Sequence, residues 1–222
     1  MLPSTRTKSS RQRPRSGRIA ACAVVGLVAA VVALLAASPS PAERSAKARV
    51  TVIGDSITAS FDYVPAARPY LGKGLDLRSD AVVCRRLVAT SCVFQGATPA
   101  TALQVIGAEG RALGPVVVIN VGYNDWTAVY DVDRVMRALT AAGVRTAIWV
   151  TLRETTSNYA QVNARIRSAA QRWRKSFVVA DWDAYSRGKP WFRDDGLHLR
   201  VSGAMGLARL LRPLVVAGAA SS

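Results

Sequence analysis

The chain has a single histidine, His198, and a carboxylate stands three residues before it in Asp194-Asp195-Gly196-Leu197-His198. An imidazole titrates near neutrality, so it can take a proton from a hydroxyl and hand it on to a leaving group. A carboxylate on the ring's other nitrogen would fix the tautomer and stabilise the imidazolium, and Asp195 is read in that role. Asp194 is read as a loop carboxylate. The hydroxyl is sought in Gly54-Asp55-Ser56-Ile57, at the end of an apolar run. A serine where a strand turns into a helix is exposed above the sheet, with the helix's free amides facing negative charge on a substrate. A third stretch, Gly122-Tyr123-Asn124-Asp125, offers Asn124 as a neutral donor to an oxyanion. Each signal has an ordinary alternative: an N-cap serine, a turn asparagine, a structural histidine. Their order along the chain, each at a strand end or in the loop before the last helix, points to a serine nucleophile with its base and oxyanion donor.

The elements that must position these groups follow from hydropathy. Strand-like runs cover residues 50–54, 75–84, 115–121, 145–151 and 177–182. Val116-Val117-Val118-Ile119 is apolar without alternation, which suits a strand covered on both faces of a parallel sheet. Helix-period segments lie between them at residues 100–113, 132–142 and 158–175. In the last, Tyr159, Val162, Ile166, Ala169 and Trp173 form one apolar stripe. A closing helix from about Ser202 would turn Leu207, Leu210, Leu211 and Leu214 inward and kink at Pro213. Five strands alternating with helices predict a three-layer α/β/α domain with a mainly parallel five-stranded sheet. Sites in such sheets form at the carboxyl ends of the strands.

Composition bounds the rest. The 222 residues are half apolar, enough for an ample core and against disorder. Residues 1–18 hold six bases and no acid, and residues 19–37 carry no charge. Residues 1–42 are therefore read as a signal peptide or a single N-terminal membrane anchor, with the remainder outside the cytoplasm. Residues 43–48 would be a tether, 49–217 the domain and 218–222 a tail. Without the leader, 24 bases face 14 acids. An exported basic protein favours anionic surroundings such as cell-wall polymers or lipid head groups, and export removes nucleic acid as a partner. Beyond the leader two cysteines and one histidine remain, short of the four such ligands a structural zinc site usually takes.

The three motif blocks resemble those of the SGNH (GDSL-like) hydrolases across roughly residues 49–217. Gly54-Asp55-Ser56-Ile57 resembles the nucleophile block, Gly122-Tyr123-Asn124-Asp125 the Gly-x-Asn-Asp block, and Asp195-Gly196-Leu197-His198 the Asp-x-x-His block. The stretch 181–198, with Trp191-Phe192 in it, is similar to SGNH domains attached to bacterial membrane acyltransferases. The resemblance implies a flavodoxin-like sheet and serine esterase chemistry without a metal or organic cofactor. One block departs from it. The family usually has a glycine after the second strand whose amide joins those of the nucleophile and the asparagine at the oxyanion. Here Cys84 stands at that strand end, with Gly96 as the alternative placement. Cys84 and Cys92 are the only cysteines beyond the leader, and in an oxidising compartment an even pair suggests a disulfide.

The expected protein is thus a monomeric extracytoplasmic esterase acting on acetyl or short-chain acyl esters of a small molecule, glycan or lipid. An O-acyltransferase acting on an envelope glycan and a non-catalytic envelope-binding module are the alternatives. Trp126 and Trp191, beside the motif blocks, are candidates to stack on sugar rings, with ordinary packing as the competing reading. Arg85 and Arg86 are candidates to hold a substrate anion, or else a surface pair.

Overall fold

A computed structural model describes residues 47–221. The leader expected at residues 1–42 and the first part of the tether, residues 43–46, lie outside them. Five strands form one parallel sheet: β1 (Arg49–Gly54), β2 (Asp76–Ala81), β3 (Val116–Asn120), β4 (Thr146–Val150) and β5 (Phe177–Ala180). Their order is β2-β1-β3-β4-β5. This is the three-layer, flavodoxin-like architecture expected from the alternation of strand and helix patterns. The central strands are the continuous apolar runs, and every residue of β3 is buried. The register sets Gly54 beside both Ala81 and Asn120, so β1, β2 and β3 release their next residues side by side.

Two short helices, α1 (Ser60–Tyr63) and α2 (Ala67–Gly72), fill the first crossover. Next come α3 (Ala102–Glu109), α4 (Val132–Ala141), α5 (Ser157–Arg172), α6 (Trp182–Ser186) and α7 (Val201–Ala220). Helices α1 and α2 pack with α7, while α3, α4 and α5 pack against one another in sequence. Local chemistry sets several of their starts. Thr101 and Gln104 form a reciprocal capping box on α3, and Thr156 and Asp181 cap α5 and α6 through their side chains. The Asp181 cap explains why β5 ends at Ala180 rather than Trp182: Trp182 is already helical.

Two further boundaries differ from the hydropathy reading. Strand β2 stops at Ala81 rather than Cys84, because Arg85 folds its guanidinium back onto the Asp80 carbonyl and carboxylate and turns the chain. Helix α7 does not give way to a tail after residue 217. It continues to Ala220, with Gly218 pressed so closely on Val116 and Thr146 that a Cβ there would lie 3.2 Å from their methyl groups. The helix also runs on past Pro213. It buries Leu207, Leu211 and Val215, whereas Leu210 and Leu214 are only half-buried. That side-chain set makes α7 a core helix, although it is long and apolar enough to cross a membrane.

Candidate active site

Ser56 follows β1 by two residues, and its half-buried hydroxyl lies 3.1 Å from Nε2 of His198. Nδ1 of the same ring lies 2.8 Å from Asp195 Oδ2. With Nδ1–H donating to that carboxylate, Nε2 carries the lone pair that can accept the serine proton. The loop holding His198 is built for this pose. Phe192 and Leu199 form an antiparallel bridge, and Arg193 N–H donates to the His198 carbonyl at 2.7 Å. Arg153, just beyond β4, stacks 3.9 Å over Phe192 and donates to the Gly196 carbonyl. Asp195 also accepts the amides of Leu197 (2.8 Å) and His198 (2.9 Å). The Leu197 amide, the His198 ring and the His198 amide together hold its carboxyl down to about 2. Asp194 points to solvent and pairs with Arg200, as a loop carboxylate would.

The expected contribution of a helix after the serine needs correction. Helix α1 has only four residues and begins at Ser60, so it is too short and too distant for an aligned dipole to matter at Ser56. The usable donor is the Ser56 amide itself. Among the described residues, the amides of Ser56 and Cys84 donate no hydrogen bond within the chain. Asn124, four residues past β3, donates from Nδ2 to the Arg85 carbonyl at 3.3 Å, which leaves that nitrogen's second hydrogen available.

Cys84 follows β2 with φ +70°, a backbone conformation ordinarily left to glycine. It is joined to Cys92 by a disulfide, and the Cys92 amide donates to the Cys84 carbonyl at 3.3 Å. The cysteine thus stands in a glycine-like conformation within a loop that the disulfide closes. Gly96, the alternative, has other work. With Gln95 it forms the positive-φ pair of a two-residue hairpin turn between Phe94 and Ala97, exposed to solvent.

Two carboxylates within the motif blocks have roles the sequence did not reveal. Asp55 is fully buried and accepts the amides of Ile57 (3.0 Å), Gly122 (3.2 Å) and Tyr123 (3.3 Å). Burial pushes its carboxyl up to about 6 against the pull of those amides. Asp125 accepts the Leu87 amide with both oxygens at 3.1 Å, and burial pushes it up to about 7. The two acids therefore tie the β1, β2 and β3 loops to one another.

The basic and aromatic candidates divide. Arg85 is buried and makes hydrogen bonds to the carbonyls of Gly54, Asp80 and Ala100, so it is neither a surface residue nor a free anion binder. Trp191 stacks on Trp182 at 5.7 Å and lies against Gly203 and Gly206, which makes it a packing residue. Trp126 is 64% exposed, two residues from Asn124, with the Arg86 guanidinium 4.5 Å from its ring centre.

Neither a protein-family model nor a curated protein matches this chain in sequence. Solved structures do match its fold. The crystal structure of TesA aligns with a TM-score of 0.54 at 16% identity, covering 77% of this chain and 99% of that one. A Clostridium thermocellum family 3 carbohydrate esterase aligns with a TM-score of 0.52 at 16% identity, covering 78% and 98%. Residues 47–221 thus have the SGNH-hydrolase fold that the motif blocks imply, a parallel five-stranded sheet with helices on both sides.

Proposed function

We propose that the protein is a serine esterase working outside the cytoplasm. The reading is carried by one observation, the hydrogen-bonded series Ser56–His198–Asp195 across 142 positions of sequence. Ser56 Oγ attacks an ester carbonyl carbon while its proton passes to Nε2 of His198. The resulting oxyanion is met by the amides of Ser56 and Cys84 and the side chain of Asn124. Collapse of the tetrahedral intermediate breaks the ester C–O bond, and His198 returns the proton to the departing alkoxide. Water, deprotonated by the same imidazole, then releases the acid from the acyl-enzyme. Asp195, held ionised, keeps the ring in the required tautomer.

The disulfide at Cys84 and Cys92 supports an oxidising compartment, in keeping with an N-terminal leader. The substrate class we assign is an acetyl or short-chain acyl ester on an envelope glycan or lipid. The exposed indole of Trp126 beside the site supports a sugar-bearing substrate. The test is turnover of an ester panel of increasing acyl length by the wild type and by Ser56→Ala. Loss of several powers of ten in the variant is expected. Equal hydrolysis of a small acetyl ester by both would dismiss the proposal. Adding a glycan acceptor to the same assay distinguishes hydrolysis from acyl transfer by the product formed.

A further inference from the structure

Asn124 is held by two consecutive residues of the disulfide loop, through two different groups. Its side-chain Nδ2 donates to the Arg85 carbonyl at 3.3 Å, and its own carbonyl accepts Nε–H of Arg86 at 2.7 Å. The same guanidinium donates from Nη1 to the Thr90 carbonyl at 3.0 Å and covers the Trp126 ring. The Arg86 amide in turn donates to Ser91 Oγ at 3.2 Å. Arg86 therefore bridges the loop closed by Cys84 and Cys92 to the loop that presents Asn124. Its planar fork reaches two carbonyls at once, which a lysine ammonium on a flexible stem would do less well.

We propose that Arg86 is a positioning residue for the oxyanion site: it fixes the main chain of Asn124 so that the free hydrogen of Nδ2 points where the oxyanion forms. This inference rests on the esterase reading above. A displacement of an oxyanion donor by about 1 Å can cost on the order of 10²-fold in rate while substrate binding changes little. Arg86 touches neither Ser56 nor His198 and meets the oxyanion site directly at Asn124, so its effect belongs in kcat.

The experiment is a double-mutant cycle on p-nitrophenyl acetate with Arg86→Met, which keeps an unbranched apolar stem but removes the guanidinium and its donors, and Asn124→Ala. Arg86→Met should lower kcat about 10- to 100-fold with KM within about twofold of wild type. In the Asn124→Ala background the same substitution should cost less than about threefold, since the donor it positions is gone. Arg86→Lys should recover part of the lost kcat, and the cycle run with Lys serves if the Met variant does not fold. A wild-type kcat in Arg86→Met, or an undiminished penalty in the Asn124→Ala background, would overturn the role of Arg86 while Ser56-dependent turnover stands. Absence of Ser56-dependent turnover in the wild type would overturn the esterase reading, and this inference with it.

Discussion

The buried carboxylate of Asp55, the residue before the candidate nucleophile, accepts the backbone amide of Tyr123, the residue before the candidate oxyanion donor, at 3.3 Å. One side chain thereby couples the ends of β1 and β3 beneath Ser56 and Asn124.

This link makes stability depend on pH. The folded-state value of Asp55, about 6, lies above the ordinary 3.8, so the native state binds the proton more tightly than the unfolded chain. Its contribution is fully present below the ordinary value and is lost as pH rises through about 6. Asp125, at about 7, acts in the same sense. Urea denaturation of the wild type between pH 4 and pH 7 should therefore show stability falling as pH rises. Asp55→Asn should flatten that slope, and an unchanged slope would refute the assignment.

Asp195 titrates far from this range. Because its carboxyl is held down to about 2, it stays ionised throughout the working range and keeps its hold on the ring. Asp195→Asn should reduce kcat by roughly 10²- to 10⁴-fold, and His198→Ala by at least as much. An Asp195→Asn enzyme with wild-type kcat would show that the carboxylate neither orients nor stabilises the ring.

The disulfide closes a short loop, eight residues from Cys84 to Cys92. Chain entropy for a loop of that size corresponds to about 2–3 kcal/mol. Cys92→Ala should lose about that much in urea denaturation and should also relax the left-handed backbone at Cys84. Unchanged stability would mean that the loop is held by its hydrogen bonds alone.

Gly203 tests the packing of Trp191. An alanine in a helix interior normally gains about 1 kcal/mol over glycine. Here its Cβ would fall 2.3 Å from the Trp191 carbonyl oxygen, so backbone must move. Gly203→Ala should therefore lower the melting temperature; a rise would place Trp191 away from α7.

Much of the architecture is readable from the sequence because the central strands are unbroken apolar runs and α5 carries a clear stripe. The edge strand is harder. β2 is only half-buried, so hydropathy does not mark its end, which depends on Arg85 turning back. Ser56, Asn124, Asp195 and His198 stand out because each combines a chemically able side chain with turn residues, and folding brings the serine, imidazole and carboxylate together. Asp55 and Asp125 stand in the same motifs, yet their partners are backbone amides up to 68 residues away. No periodicity records such bonds. Arg85 shows the same limit: its charge is visible in sequence, while the three carbonyls that occupy it are not.

The nucleophilicity of Ser56 is tested most directly by incubating the wild type with a fluorophosphonate probe and locating the adduct by peptide mass analysis. The expected result is a single adduct on Ser56, absent from Ser56→Ala and slowed about 10³-fold or more in His198→Ala. An unlabelled Ser56 in folded protein, or equal labelling rates with and without the imidazole, would contradict a catalytic role for the hydroxyl.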